Sequence, residues 1–151
     1  IKPNPSEKNM KKIFISYSKH DKKYKEALLK HLQGLRGKII TWNDSDLLAG
    51  EDWDDKIKEE LNTAVIVLYL VSANSIATDY IQKIELPLVE ERCQAGDCKL
   101  VPIIVSDCVW TRLDFAKKNA LPNKGVPIRD KTWGNQDKAW TTVVQQLEKI
   151  I

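Results

Sequence analysis

Residues 64–71 read AVIVLYLV, eight positions without a charge and rich in β-branched side chains. The run is far shorter than the ~20 apolar residues a membrane-spanning helix needs. It suits a strand covered on both faces, because a parallel sheet carries helices on both sides and leaves its central strands no wet face.

Working outward from this run, apolar segments alternate with segments of helical period, the pattern of βαβ units on a parallel sheet. Upstream, residues 12–17 (KIFISY) and 38–42 (KIITW) are the first and second strands. Downstream, residues 100–105 (LVPIIV) are the fourth, and a short run at residues 126–128 is the fifth. Pro102 lacks a ladder donor, which pushes it toward a strand end.

The intervening helices have their own signals. Asp21 is placed to cap a helix with an apolar stripe of Tyr24, Leu28, Leu32 and Leu35, and Gly34 and Gly37 supply its stop. After Gly50, the acids Glu51, Asp52, Asp54 and Asp55 suit a helix N-terminus, with Trp53, Ile57 and Leu61 facing inward. Trp42 and Trp53 are both read as core. The last helix runs from about Asp137 with Trp140, Val144, Leu147 and Ile151 on one face. The helix after the third strand has a stripe of Tyr80, Ile84 and Leu88, interrupted by Pro87, which lacks an N–H and crowds the carbonyl of Lys83. Either that helix kinks or a new one begins there, and Glu85 sits beside the irregularity.

A chain of 151 residues is the size of one domain. Residues 1–10 read as a flexible N-terminal segment, a linker or cloning remnant, since Met10 followed by Lys11, Lys12 and a strand resembles a natural start. The domain proper is residues 11–151. Net charge is +3, with nine lysines in the first thirty residues, read as a solvated face because no aromatic RNA-binding platform or helix-turn-helix accompanies them. Three cysteines without CxxC spacing offer neither a disulfide framework nor a zinc site, and suit a reducing compartment.

Several chemistries fail on spacing. A phospho-receiver needs an acidic pair after strand one and an aspartate ending strand three, where this chain has Ser16-Tyr17-Ser18 and Val71-Ser72-Ala73. Its six glycines form neither a P-loop nor a dinucleotide fingerprint. Ser16, Ser18 and His20 lie at a strand end without a nucleophile elbow, which argues against serine hydrolysis.

Three segments remain that an open parallel sheet would bring together beyond its strand ends: residues 16–21 (SYSKHD), 43–50 (NDSDLLAG) and 72–85 (SANSIATDYIQKIE). Together they resemble the Toll/interleukin-1 receptor (TIR) family. FISYSKHD is similar to its first box, WNDSDLLAGEDW to its BB loop, and VSANSIATDYIQKIEL to the serine-rich stretch that leads through an aromatic to a glutamate. VPIIV, ALPNKGVPI and DKAW resemble later elements of bacterial members, so the likeness spans roughly residues 11–151.

The resemblance implies a flavodoxin-like α/β fold with a five-stranded parallel sheet, order 2-1-3-4-5. It implies one of two roles: cleavage of NAD+ at the nicotinamide–ribose bond, giving ADP-ribose or its cyclic form, or non-catalytic TIR–TIR adhesion. In the NAD-consuming branch the helix after strand three carries an essential glutamate, which here is Glu85, while Glu90 and Glu91 are the exposed acidic end of that helix. Tyr80 and Ile81 both match the position of the aromatic before the glutamate, Tyr80 being the residue whose ring could lie on nicotinamide or ribose. The alternative for Tyr80 is a core residue at the start of the helix stripe, and for Glu85 a surface helix position.

The chemistry is consistent with a lone glutamate. Breaking this bond develops an oxocarbenium-like centre that a carboxylate stabilises, and nicotinamide leaves as a neutral base without a general acid. Asp44 and Asp46 are candidates for ribose hydroxyls or for shaping the BB loop, and Ser16 and Tyr17 for the cleft floor. Leu47, Leu48 and Gly50 are the assembly residues of the BB loop. No metal and no cofactor beyond NAD+ as substrate is expected. Partners implied by the resemblance are other TIR domains and a fused or associated sensor, in a cytoplasmic bacterial defence setting, with no nucleic acid or membrane. A nucleoside-processing transferase of similar fold is a third reading.

Overall fold

The computed structural model describes residues 10–113, 115 and 118–151. Most of the segment read as a flexible start, residues 1–9, therefore lies outside the described residues. The elements run β1 (Lys11–Ser16), α1 (Lys22–Leu32), β2 (Ile39–Trp42), α2 (Trp53–Thr63), β3 (Ile66–Val71), α3 (Ala73–Ile76), a π-helical turn (Ile81–Glu85), α4 (Leu86–Gln94), β4 (Lys99–Ile104) and α5 (Gln136–Glu148).

The four strands are parallel in the order β2-β1-β3-β4. All six residues of β3 are buried, as a strand without charged positions requires. Its alternation divides the core. Ile66, Leu68 and Leu70 pack with Tyr24, Leu28 and Leu32 of α1 and with Trp140, Val143 and Leu147 of α5. Val67, Tyr69 and Val71 face the other layer, with Ile57 and Leu61 of α2 and Val89 of α4. Burying an aliphatic side chain in such a layer stabilises by about 1.5–3 kcal/mol, so the two faces of β3 anchor the domain.

The sheet differs from expectation at its far edge. No fifth strand forms among the described residues. Leu121 makes an isolated parallel bridge with Ile103, and Ile128 and Arg129 donate to the carbonyls of Ile104 and Val105 at 2.9 and 3.1 Å. Pro127, in the middle of the run read as a strand, has no N–H, so a continuous ladder cannot extend through it. Pro102 is accommodated for a related reason. Its carbonyl accepts from Leu121 at 2.9 Å on the outer side, and a strand residue's N–H points the same way as its C=O. The missing donor therefore faces the interrupted edge and costs β3 nothing.

Three local readings are corrected. Asp21 is the N-cap residue of α1 but its carboxylate makes no capping bond. Instead it accepts from the hydroxyl of Ser72 and from Asn74 Nδ2 at 3.0 Å, tying the loop after β1 to the loop after β3. In α5 the fully buried position is Val143, with Val144 packed at the margin of the core. Trp53 is not core. It is the first residue of α2 and 56% exposed. Trp42, in contrast, is buried against Phe14, with ring centroids 5.4 Å apart.

The question posed by Pro87 resolves into a change of helix type. From Ile81 to Glu85 the chain is π-helical, the Leu86 N–H reaching the carbonyl of Ile81, and Pro87 falls in the first turn of α4. A proline is tolerated there because the first turn of a helix needs few internal donors. The buried row of this segment is Ile81, Glu85, Leu86 and Val89, whereas Tyr80, Ile84 and Leu88 are half-buried.

Candidate active site

Strand order reverses between β1 and β3, and the loops leaving β1, β2 and β3 at their carboxyl ends enclose a cleft of about 640 Å³. This is within the size range of small-molecule sites, roughly 300–1,000 Å³.

At its base lies Glu85, 7% exposed, the last residue of the π turn. A carboxyl group does not enter a protein interior without partners. Its partner is Ser16, the last residue of β1, whose hydroxyl donates to Glu85 Oε1 at 2.6 Å. Burial pushes the Glu85 carboxyl up from 4.5 to about 7, the Ser16 hydrogen bond pulls it partly back, and the negative charge of Asp44 adds a smaller upward push. Glu85 is thus not the surface helix residue that composition alone would suggest.

The orientation of the π turn is set by Gln82 within it. Gln82 Nε2 donates to the hydroxyl oxygen of Tyr69 at 2.8 Å and to the carbonyl of Ser75 at 3.2 Å. Tyr69 is fully buried on β3, so the turn is fastened to the centre of the sheet. π turns are rare and cluster at functional sites, where they redirect a side chain within a helix.

One wall comes from the loop after β2. Asn43 accepts from the Ser45 N–H, and Asp46 accepts from the Asn43 N–H at 3.1 Å, a reciprocal cap on a 3-10 turn over Asp44–Asp46. Asp46 is thereby a capping residue outside the cleft lining, while Asp44 lines the cleft. Tyr17 also lines it, donating to Asp44 Oδ1 at 2.6 Å, and its phenol is pushed up to about 12 by burial and by that donation. Lys25, buried on α1, donates to Ser45 Oγ at 3.2 Å and lies 5.2 Å from the Tyr17 ring centroid. Ser16 lies below the cleft surface and reaches it through Glu85.

A second part of the lining is aromatic. Tyr80 and Trp53 meet with ring centroids 5.0 Å apart, and Tyr80 donates to Asp54 Oδ1 at 2.8 Å. Burial and that donation raise the Tyr80 phenol. Both Tyr80 and Ile81 line the cleft, Ile81 from the buried side. Of the BB-loop candidates, Leu47 lines the cleft, Leu48 is 72% exposed, and Gly50 adopts a left-handed φ of +85° at the turn into α2. Glu91 is exposed and Glu90 half-buried, and neither lines the cleft.

Sequence reasoning missed Trp53, Asp54 and Gln82. Trp53 and Asp54 carried the signal of a helix start after a glycine turn, which is compatible with a lip as well as with core. Gln82 carried none, since its role follows from Tyr69, thirteen residues earlier. Serine hydrolysis is disfavoured by position as well: Ser16 is buried and does not line the cleft, and among the described residues no His side chain is bonded to the hydroxyl of Ser16 or Ser18, the latter accepting from the backbone N–H of His20. Among the described residues no group of three or more His, Cys, Asp or Glu side chains could hold a metal ion, and no helix is long and apolar enough to cross a membrane.

Residues 13–147 match the family described as TIR domain. The chain is also 38% identical over 142 residues to a Sinorhizobium fredii protein, the uncharacterised protein y4lF. That alignment covers 93% of this chain and 43% of the relative, so the chain spans less than half the length of the protein it matches.

Proposed function

Because this chain belongs to the TIR domain family, which includes NAD-cleaving enzymes, we propose that it is an NAD+ glycohydrolase in which Glu85 is the catalytic residue. The observation that carries this reading is one carboxyl group, held by Ser16 at the base of a cleft with an aromatic wall, and poised by burial near neutral pH.

The chemistry follows from charge. The nicotinamide ring of NAD+ is cationic, so its entry favours the ionised form of Glu85 over the protonated one. As the bond to ribose lengthens, positive charge moves from the ring to the anomeric carbon, and the carboxylate stabilises it there, where little water competes. Ser16 fixes one carboxyl oxygen and with it the direction of the other. Tyr80 and Trp53 offer a face for a planar ring, and Asp44 is placed to accept from a ribose hydroxyl. Nicotinamide departs neutral, and water or a ring nitrogen of the adenine completes the reaction, giving ADP-ribose or a cyclic isomer. No metal or further cofactor is required by this scheme.

The test is nicotinamide release from NAD+ at high protein concentration in a crowded buffer, with Glu85→Gln in parallel. The reading fails if both proteins are equally inert or equally active.

Leu48 favours a second element. A leucine 72% exposed on the BB loop suits contact with another TIR domain, either to activate catalysis by self-assembly or as the whole function of a non-catalytic adaptor. In the first case Leu48→Glu abolishes activity at high concentration without lowering Tm. In the second, NAD+ gives no thermal protection to the wild type. A role as the effector module of a bacterial defence protein with its own sensor belongs to the same proposal.

A further inference from the structure

Cys93 lies in the last turn of α4 and Cys98 immediately precedes β4, and the turn between them, at residues 94–97, brings their sulfurs to 3.5 Å. Gly96, at φ +81°, reverses the chain there. Arg92 holds the turn from one side, donating to the carbonyls of Leu61 and Ala64 and, at 3.4 Å, to that of Asp97. The pair is thus fixed by its surroundings and lies away from the cleft.

The two thiols are unlike. Cys98 is 9% exposed and directs its thiol at the Val89 carbonyl, 3.8 Å away, while Cys93 is more open. Burial, the hydrogen bond shared with Cys93 and the negative charge of a Cys93 thiolate all push the Cys98 thiol up. Cys93, the more open of the two, is therefore the sulfur that meets a reagent first. A disulfide has its sulfurs about 2.05 Å apart, so closing this pair needs a movement of about 1.5 Å, within the reach of a side-chain rotation.

We propose that Cys93 and Cys98 form an oxidation site at which a hydroperoxide converts the dithiol to an intrachain disulfide. The Cys93 thiol gives its proton to solvent and its thiolate attacks one peroxide oxygen, the O–O bond breaks, and Cys93 becomes a sulfenic acid as the other oxygen leaves with a proton taken back from solvent, as water or an alcohol. The Cys98 sulfur then attacks that of Cys93. The S–S bond forms, the S–O bond breaks, and hydroxide leaves with the Cys98 proton as water. Two thiols have lost two electrons to one peroxide. The product ties the end of α4 to the start of β4, and the inference does not depend on the reaction assigned to the cleft.

Trypsin makes the site directly readable, because cleavage after Arg92 and Lys99 releases both cysteines on one peptide, residues 93–99, while Cys108 lies on residues 100–112. The folded protein is treated with hydrogen peroxide, alkylated and digested. The expected result is a 93–99 peptide about 2 Da lighter than its dithiol form, unalkylated and restored by dithiothreitol, at a stage when the Cys108 peptide is still alkylated. Cys98→Ser is expected to leave Cys93 as a sulfenic acid that dimedone captures. Accumulation of a Cys93 sulfinic acid beside an alkylated Cys98, or oxidation of Cys108 in parallel, overturns the proposal. So does equal selectivity for the pair in protein unfolded in guanidinium.

Discussion

The hydroxyl of Ser16 donates to Oε1 of Glu85 across 2.6 Å, joining residues 69 positions apart in sequence at the point where the strand order reverses. This bond is the main force opposing protonation of a carboxyl that burial raises to about 7. If the ionised carboxylate is the active form, kcat/KM for NAD+ rises about tenfold per pH unit below pH 7 and levels off above it. Ser16→Ala removes the bond that lowers the value, so its profile moves to higher pH. Glu85→Gln, which cannot ionise, loses activity by about 10³-fold on the plateau above pH 7, and the gap narrows at lower pH as the wild-type carboxyl protonates. A profile for Ser16→Ala superimposable on that of the wild type contradicts this account.

The same group makes stability depend on pH, independently of any reaction. The native state holds the Glu85 proton up to about pH 7, whereas the unfolded chain releases it near 4.5. Between these values the native state binds more protons, so the contribution of this group is present in full below 4.5 and is lost as pH rises through 7. A shift of this size corresponds to roughly 3 kcal/mol. Denaturant titrations of wild type and Glu85→Gln are expected to show the variant gaining on the wild type by up to that amount between pH 4.5 and 8. A constant difference across the range counts against a buried, late-ionising Glu85.

This burial explains why part of the site was illegible in the sequence. β3 could be read because no residue of it is charged, and α1 because its stripe of Tyr24, Leu28 and Leu32, continued by Leu35 in the turn that follows, is buried as read. The helix of Glu85 could not. Its buried row is Ile81, Glu85 and Val89, and a glutamate inside that row makes the neighbouring row of Tyr80, Ile84 and Leu88 look the more apolar. A residue placed for chemistry against its own solvation breaks the pattern from which burial is inferred. The fifth strand misled in the opposite sense. Val126, Pro127 and Ile128 are apolar enough for a strand, but a ladder needs donors, and the proline has none. The loop segments that converge were legible because parallel topology alone gathers them at one end of the sheet. Which side chains in them point inward was settled by contacts between residues far apart, such as Asp21 with Ser72.

Gln82 is expected to act on catalysis without touching substrate. Gln82→Leu removes the amide that donates to the fully buried Tyr69 hydroxyl, a cost of about 1–3 kcal/mol. It also releases the π turn, so kcat falls while KM for NAD+ changes little. Tyr69→Phe removes the group that Gln82 satisfies. In a double-mutant cycle the two changes together should therefore destabilise less than the sum of the singles. Additive effects would show that the Gln82–Tyr69 bond does not hold the turn.

Trp53 offers the sharpest contrast between a core reading and a lip reading. A tryptophan packed in the interior costs about 3–5 kcal/mol when cut to alanine. Trp53 is 56% exposed, and its described aromatic contact is with Tyr80 at the mouth of the cleft. Trp53→Ala is therefore expected to cost less than about 1 kcal/mol in a denaturant titration, as surface changes do. If a planar ring of NAD+ rests on the Trp53–Tyr80 pair, the same variant raises KM several-fold, and Trp53→Phe recovers most of the loss. Tyr80→Phe keeps the aromatic face and removes only the bond to Asp54, so its KM stays near that of the wild type. A large loss of stability in Trp53→Ala returns the residue to the core, and an unchanged KM removes it from the substrate wall.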